Sequence, residues 1–324
     1  MRIRSRRELL KESAALAGGA LWWPGKSAAG FLASAEFATQ FGPSLQFPAE
    51  PRARLAVASW PFRAHIESPT NDGRDKKVPG VDLREFAAQV KERFGVPGVE
   101  PLSSHFSSTD ARYLHSFREA IEKAGVHVVN VPVDNDHSYY DADPAARQKA
   151  VDNGKKWVDV AVVVGSPSVR TSIAEAKSTK PSVEVAAAEI RKVADYAASK
   201  NIVVNLENDN LVSEDAFLVV KVVDAVHSPF LHALPDFCNS MQTGDEKFNY
   251  SAVQAMFNRA YNICHVKDSE MSDTGKIVRV DLKRSFDILK ASGFRGYCSM
   301  EWEGGGDPHD GTKKLIAASL QYLS

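Results

Sequence analysis

Tyr261-Asn-Ile-Cys-His-Val-Lys-Asp268 begins as an apolar strand and then, with no turn residue between, delivers an imidazole, an ammonium and a carboxylate. Strands commonly stop where polarity starts, because loops lie on the surface and carry charge. A buried strand that runs into His265, Lys267 and Asp268 admits a second reading, in which the strand end is one edge of a site. The segments on either side decide between the two.

From Leu55 onward, short β-branched runs alternate with longer segments of helical period, the pattern of βα units around a parallel sheet. The strands expected are Leu55–Trp60, Gly98–Glu100, His127–Val133, Val158–Val164, Ile202–Glu207, Leu231–Asp236, Asn262–Val266 and Tyr297–Glu301, eight in all. Helix starts are marked between them. Asp143 precedes Pro144, Ser182 precedes a helix-forming run from Val183 to Ile190, and Asp281 opens a helix whose Leu282, Phe286 and Leu289 share a face before Gly293 stops it. Eight such units over residues 54–324, 271 residues, match an α/β fold of the (β/α)8 TIM-barrel class as a single domain, typically about 250 residues long. A doubly wound open sheet would carry a Gly-rich phosphate turn after its first strand, and Ser59-Trp-Pro-Phe-Arg63 is not one.

In a barrel the reacting groups sit at the C-terminal ends of the strands. Read so, the last four strands end in Glu207, Asp236, His265 and Glu301, spaced 29, 29 and 36 residues apart, one βα unit each. A lone acid after a strand is often only a helix N-cap, and a lone histidine there is often structural. Four in register on neighbouring strands are a different matter, because three adjacent carboxylates without a cation raise one another's pKa values. One divalent ion removes that cost. Mixed oxygen and imidazole ligation suits Mn²⁺, Mg²⁺, Co²⁺, Fe²⁺ or Zn²⁺. Lys267, two residues beyond His265, falls on the same face and is a candidate to bond a substrate oxygen, with Asp268 to orient it. His105 follows the second strand, and Trp60 and Trp302 offer apolar walls or simple packing.

The composition is that of a globular chain, 44% hydrophobic and 25% charged over 324 residues, with a formal net charge of −1 that gives no reason to expect nucleic acid. Cys238, Cys264 and Cys298 are too few and scattered for a disulfide framework and are expected to pack. Residues 1–35 read as an export signal: a basic start, a short glycine-bearing apolar stretch and Ala33-Ser-Ala35 as a cleavage site. With Arg6 and Arg7 as the pair, this resembles a twin-arginine signal, which implies passage through the twin-arginine export machinery to the periplasm or beyond. The apolar stretch is too short to span a membrane. Cleavage after Ala35 would remove a net four positive charges, taking the formal charge from −1 to −5. Residues 36–53, with Pro43, Pro48 and Pro51, read as an extended linker, so that the barrel begins at residue 54.

Leu206-Glu-Asn208, Pro235-Asp-Phe-Cys-Asn239, His265-Val-Lys-Asp268 and the closing Gly293-to-Trp302 run resemble the xylose isomerase-like TIM-barrel superfamily, which includes sugar isomerases, ketose 3-epimerases, inosose dehydratases and an apurinic endonuclease family. The resemblance covers the chain from about Leu55. It implies that Glu207, Asp236, His265 and Glu301 bind one divalent metal ion, which holds a carbonyl and a neighbouring hydroxyl of a carbohydrate. It further implies that Glu207 and Glu301 exchange a proton at the adjacent carbon. Arg170 lies where relatives present an arginine to the substrate.

Departures from the family narrow the reading. The apurinic endonucleases carry a histidine where this chain has Asn239, and an Asp-x-His after the ligand histidine that is missing here, so DNA is not the expected partner. Ketose 3-epimerases also have a histidine at Asn239, a glutamate at Ser213 and an arginine at Met271. Their substrate contacts are therefore not reproduced, although Asn239 keeps a place among the expected substrate-binding residues. The expectation is a metal-dependent isomerase or epimerase acting on a sugar, keto-sugar or cyclic polyol. A lyase or dehydratase acting on a 3-keto-glycoside or inosose is the alternative, and a non-catalytic sugar-binding barrel is the reading from another class. The sequence is compatible with an oligomer.

Overall fold

The computed structural model describes residues 42–324 except 178, 210, 211, 213, 214 and 272–274. The export-signal reading, residues 1–35, lies outside the described residues, as does Ser213.

The strands are β1 (Leu55–Ala58), β2 (Gly98–Glu100), β3 (His127–Val128), β4 (Val131–Pro132), β5 (Ser168–Thr171), β6 (Val203–Glu207), β7 (Leu231–Leu234), β8 (Ile263–Val266), β9 (Ser269–Met271), β10 (Ile277–Arg279) and β11 (Tyr297–Met300). The helices are α1 (Leu83–Phe94), α2 (Ala111–Ala124), α3 (Pro144–Val164), α4 (Val183–Ala198), α5 (Ala216–Val226), α6 (Glu246–Phe257), α7 (Leu282–Ala291) and α8 (Pro308–Leu323). Seven of these eight begin with an aspartate or serine whose side chain accepts a backbone N–H of the first turn: Asp82, Asp143, Ser182, Asp215, Asp245, Asp281 and Asp307.

The strands pair in parallel as β3-β2-β1-β11-β8 and β4-β5-β6-β7. Two joints close these arcs into a barrel. Residues 127–132 give β3 to one arc and β4 to the other, and Asp236 bridges His265 between β7 and β8. Counting β3 and β4 as one broken strand, the barrel has eight, and the antiparallel β9–β10 hairpin stands outside it.

Strand alternation then sorts the side chains. Val204 and Leu206, Cys264 and Val266, and Cys298 and Met300 join the apolar layer between barrel and helices. The intervening residues point inward. Low in the barrel these are Ala56, Val129, Leu234 and Ile263, with Tyr297 beneath them. At the C-terminal end the inward register falls on Glu100, Arg170, Glu207, Asp236, His265 and Glu301, all buried. All three cysteines are buried and unbridged, with Cys264 and Cys298 facing one another at 3.8 Å in the helix-side layer, so they pack as expected.

One expected strand is a helix. Val158–Val164 forms the last two turns of α3, which runs unbroken from the Asp143 cap to Gly165 at φ 78°. Its burial has the helical spacing: Trp157, Val158, Val160, Ala161 and Val164 are covered while Val162 is exposed. β-branched residues in a helix buried against the barrel mimic a strand. The strand follows at Ser168–Thr171, so Arg170 lies within it and not after it.

Residues from Gly42 onward cover the floor of the barrel. Tyr261 Oη donates to the Pro43 carbonyl (2.9 Å) and accepts from Leu45 N (3.3 Å), while Phe47 meets the rings of Tyr261 and Tyr297 edge-on at 5.6 and 5.9 Å. Both tyrosines stand at the N-terminal ends of their strands.

Candidate metal centre and its surroundings

Glu207 closes β6, Asp236 follows β7, His265 lies in β8 and Glu301 follows β11. Each presents one ligand-type atom, and the four atoms lie within 4.8 Å of one another. His265 turns Nδ1 toward the cluster, 2.7 Å from Glu207 Oε1 and 3.3 Å from Glu301 Oε2. Asp236 is fixed by its own loop. Its Oδ1 accepts the backbone N–H groups of Cys238 and Asn239 at 2.7 and 2.6 Å. Its Oδ2 is buried with no hydrogen-bond partner.

Glu207 Oε2 is likewise without a hydrogen bond, although Arg170 Nε pairs with it ionically at 2.6 Å. Asp236 Oδ2 has no cation nearer than Lys267 at 3.7 Å, and a buried carboxylate oxygen left so is costly until a cation satisfies it. The residues present therefore fit a divalent ion.

The protonation pattern belongs to the metal-free site. Burial raises the carboxyls of Glu207 and Asp236, the latter to about 6. Glu301 goes the other way: burial would raise it, but the charges of His265 and Lys267 prevail and hold it well below the usual carboxylate range. For His265, burial disfavours the imidazolium, yet Glu100, Glu207 and Glu301 outweigh burial and raise its pKa well above the ordinary value. A proton thus sits where the ion would.

Glu100 belongs to this site although the sequence reading passed over it. It ends β2 fully buried and accepts from His265 Nε2 at 3.0 and 3.1 Å. Asn130 Nδ2 donates to Glu100 Oε1 (2.8 Å), Ser168 Oγ to Asn130 Oδ1 (2.6 Å) and Asn262 Nδ2 to Ser168 Oγ (2.8 Å). The chain leaves β8 at His265 and returns to its start at Asn262. Asn130 occupies the break between β3 and β4, so this network also ties the two arcs together. Such a partner fixes a ligand histidine's tautomer, keeping the proton on Nε2 and freeing Nδ1. Applying the strand-end rule to the second strand would have found Glu100.

Lys267 is buried, as its proposed role requires, but Asp268 does not orient it. Lys267 Nζ donates to Asn239 Oδ1 (2.9 Å) and Glu270 Oε2 (2.8 Å), and lies 3.2 Å from Glu301 and 3.3 Å from Glu303. Asp268 turns away and accepts from Ser269 Oγ. Asn239, expected against substrate, is thereby a partner of Lys267. Arg170 is buried among Glu207, Asp209 (3.3 Å) and Asp134 (3.7 Å).

Trp60 donates its indole N–H to Glu303 and carries the Arg63 guanidinium over its ring at 4.1 Å. Trp302 packs instead against Gly304 and Gly311, where any Cβ would collide with the ring. Met271, at the end of β9, is 47% exposed.

His105 is fully buried, with Nδ1 2.7 Å from Ser59 Oγ and Nε2 unpartnered. Burial and the Arg63 charge lower its pKa to about 3, so the ring is neutral. Ser59 Oγ already accepts Leu102 N–H at 2.9 Å. Donating its own proton to Nδ1 leaves only the Nε2–H group of His105 unsatisfied, whereas the other tautomer strands two groups.

Fold and cluster together define a (β/α)8 barrel that carries its chemistry on strand ends around one rim. The chain belongs to the xylose isomerase-like TIM barrel family, which it matches over residues 87–323. No curated protein matches it in sequence. Among solved structures, an L-ribulose 3-epimerase is 16% identical with a TM-score of 0.64, covering 84% of this chain and 95% of that one. A D-allulose 3-epimerase from Methylomonas sp. in complex with D-allulose is 18% identical (TM-score 0.62; 86% and 98% covered). A xylose isomerase-like TIM barrel protein from Mycobacterium smegmatis in complex with magnesium is 15% identical (TM-score 0.61; 85% and 99%). At these identities the likeness is one of fold. No helix among the described residues is long and apolar enough to cross a membrane.

Proposed function

We propose that the chain is a metal-dependent isomerase or epimerase that moves a proton at the carbon beside the carbonyl of a sugar, keto-sugar or cyclic polyol. The observation that carries this reading is the convergence of Glu207, Asp236, His265 and Glu301, two of whose carboxylate oxygens lack a hydrogen-bond partner. These four residues would hold the ion. When bound, it supplies the Lewis acidity that makes a carbonyl's neighbouring C–H acidic. One similar barrel is in complex with magnesium and another with D-allulose, which supports a divalent ion and a carbohydrate as the ligands here.

Glu207 and Glu301 would do the proton work. They arise from β6 and β11, with β7 and β8 between them, so they flank the space above His265. One acts as base and the other as acid, a proton leaving the carbon to one carboxylate and another returning to the opposite face from its partner. Lys267 keeps Glu301 ionised, and Arg170 holds Glu207 in place.

Incubating Mn²⁺-loaded protein with uncharged keto-sugars in D₂O should place deuterium at the carbon beside the carbonyl. A broad panel that takes up no deuterium while the metal stays bound would overturn the reading. Export by the twin-arginine route is proposed from Arg6 and Arg7. Fusing residues 1–40 to a reporter and changing both arginines to lysine should stop transport; unchanged transport would refute that route.

A further inference from the structure

Among the described residues, every cation buried at the rim faces more than one carboxylate. Arg170 lies between Glu207, Asp209 and Asp134, at 2.6, 3.3 and 3.7 Å. Lys267 faces Glu270, Glu301, Glu303 and Asp236, at 2.8, 3.2, 3.3 and 3.7 Å. His265 sits between Glu100 and the carboxylates it shares with the other two. The next cation outward, Arg63, lies over Trp60 and 3.9 Å from Glu303. Among the described residues, eight carboxyl groups therefore meet four cationic side chains, and seven of the eight are counted as charged, because burial pushes Glu270 up to about 9. A divalent ion takes the place of the His265 proton, so Arg170, Lys267, Arg63 and the ion carry five positive charges, and carboxylates remain in excess.

The acidity extends outward. The Asp134 and Asp209 side chains are 54% and 40% exposed, so an arriving ligand meets them before Arg170 behind them. A phosphate or carboxylate here would find each cation already taken and would stand against like charge, which discriminates strongly between ligands. Hydroxyl groups fare differently, because each O–H can donate to an ionised carboxylate, a stronger bond than between neutral partners.

We infer that the site selects an uncharged polyhydroxy carbonyl compound and rejects phosphorylated and acidic sugars. This rests on the proposed function for the location of the site, but its charge preference is separately measurable. The test is calorimetric titration of the Mn²⁺-loaded full chain with uncharged ketoses, keto-glycosides and polyol ketones, each beside its phosphate or carboxylate derivative, such as D-fructose beside D-fructose 6-phosphate.

The uncharged member of a pair should bind on the order of 100-fold more tightly. The gap should narrow in Glu270→Gln/Glu303→Gln, which removes acidity near the mouth. Equal or tighter binding of the anionic members would overturn the inference, as would failure of every uncharged member to bind. Uncharged sugars that bind selectively yet take up no deuterium would refute the chemistry and leave the charge selection standing.

Discussion

His265→Ala should leave the purified protein without its divalent ion, with affinity reduced more than ~100-fold, since the loss of a ligand exceeds the usual effect of losing a ligand's partner. Total metal analysis and a competition titration with a chromogenic chelator both measure this. Glu100 supplies the graded companion. Glu100→Ala should weaken binding by ~10–100-fold and Glu100→Gln by less, because the amide oxygen still accepts from Nε2–H. The ¹⁵N shifts of His265 separate positioning from general damage. Both variants should keep the fold, and only Glu100→Ala should mix the tautomers.

The same histidine sets the pH dependence. In the metal-free protein Glu100, Glu207 and Glu301 raise its pKa well above the ordinary 6.5, overcoming burial. Its contribution to metal-free stability is therefore complete below about 6.5 and disappears as pH rises through the raised value. Metal binding must expel that proton, so affinity should rise about tenfold per pH unit from about pH 6 to 8. Affinity independent of pH, or full metal retention by His265→Ala, would remove His265 from the site.

Glu301→Gln and Glu207→Gln should each reduce deuterium exchange into the substrate by ~10²–10⁴-fold, the usual contribution of a positioned base or acid. Glutamine keeps an oxygen donor, so metal content measured in parallel distinguishes lost proton transfer from lost metal. If Glu301 is the base, its variant should stop exchange even where Glu207→Gln still allows uptake from one face. Parent-level exchange in either variant, with metal bound, would reassign the proton carrier.

The four rim residues were legible because a barrel turns sequence spacing into angular position: one βα unit moves the next inward side chain one strand around the rim. Glu100 was equally exposed to that logic but comes from the short β2, outside the final four strands where the rule was applied. Glu270 and Glu303 are harder to find. They lie past the strand ends, and only the turn into β9 and the loop after Glu301 bring them onto Lys267. The sequence neighbour Asp268 looked the better partner because adjacency along the chain was taken for adjacency in space. The valines of α3 misled for a related reason: a helix covered by its neighbours and the barrel needs no polar stripe where it is buried, so seven residues cannot reveal its period.

The strap over the barrel floor fixes where the chain enters. Pro43, Leu45 and Phe47 are tied to Tyr261 and Tyr297 at the end away from the rim, so Gly42 stands at the face opposite the mouth. A protein anchored to a bead or a carrier by that side would be oriented, not merely attached, with its opening toward the solution.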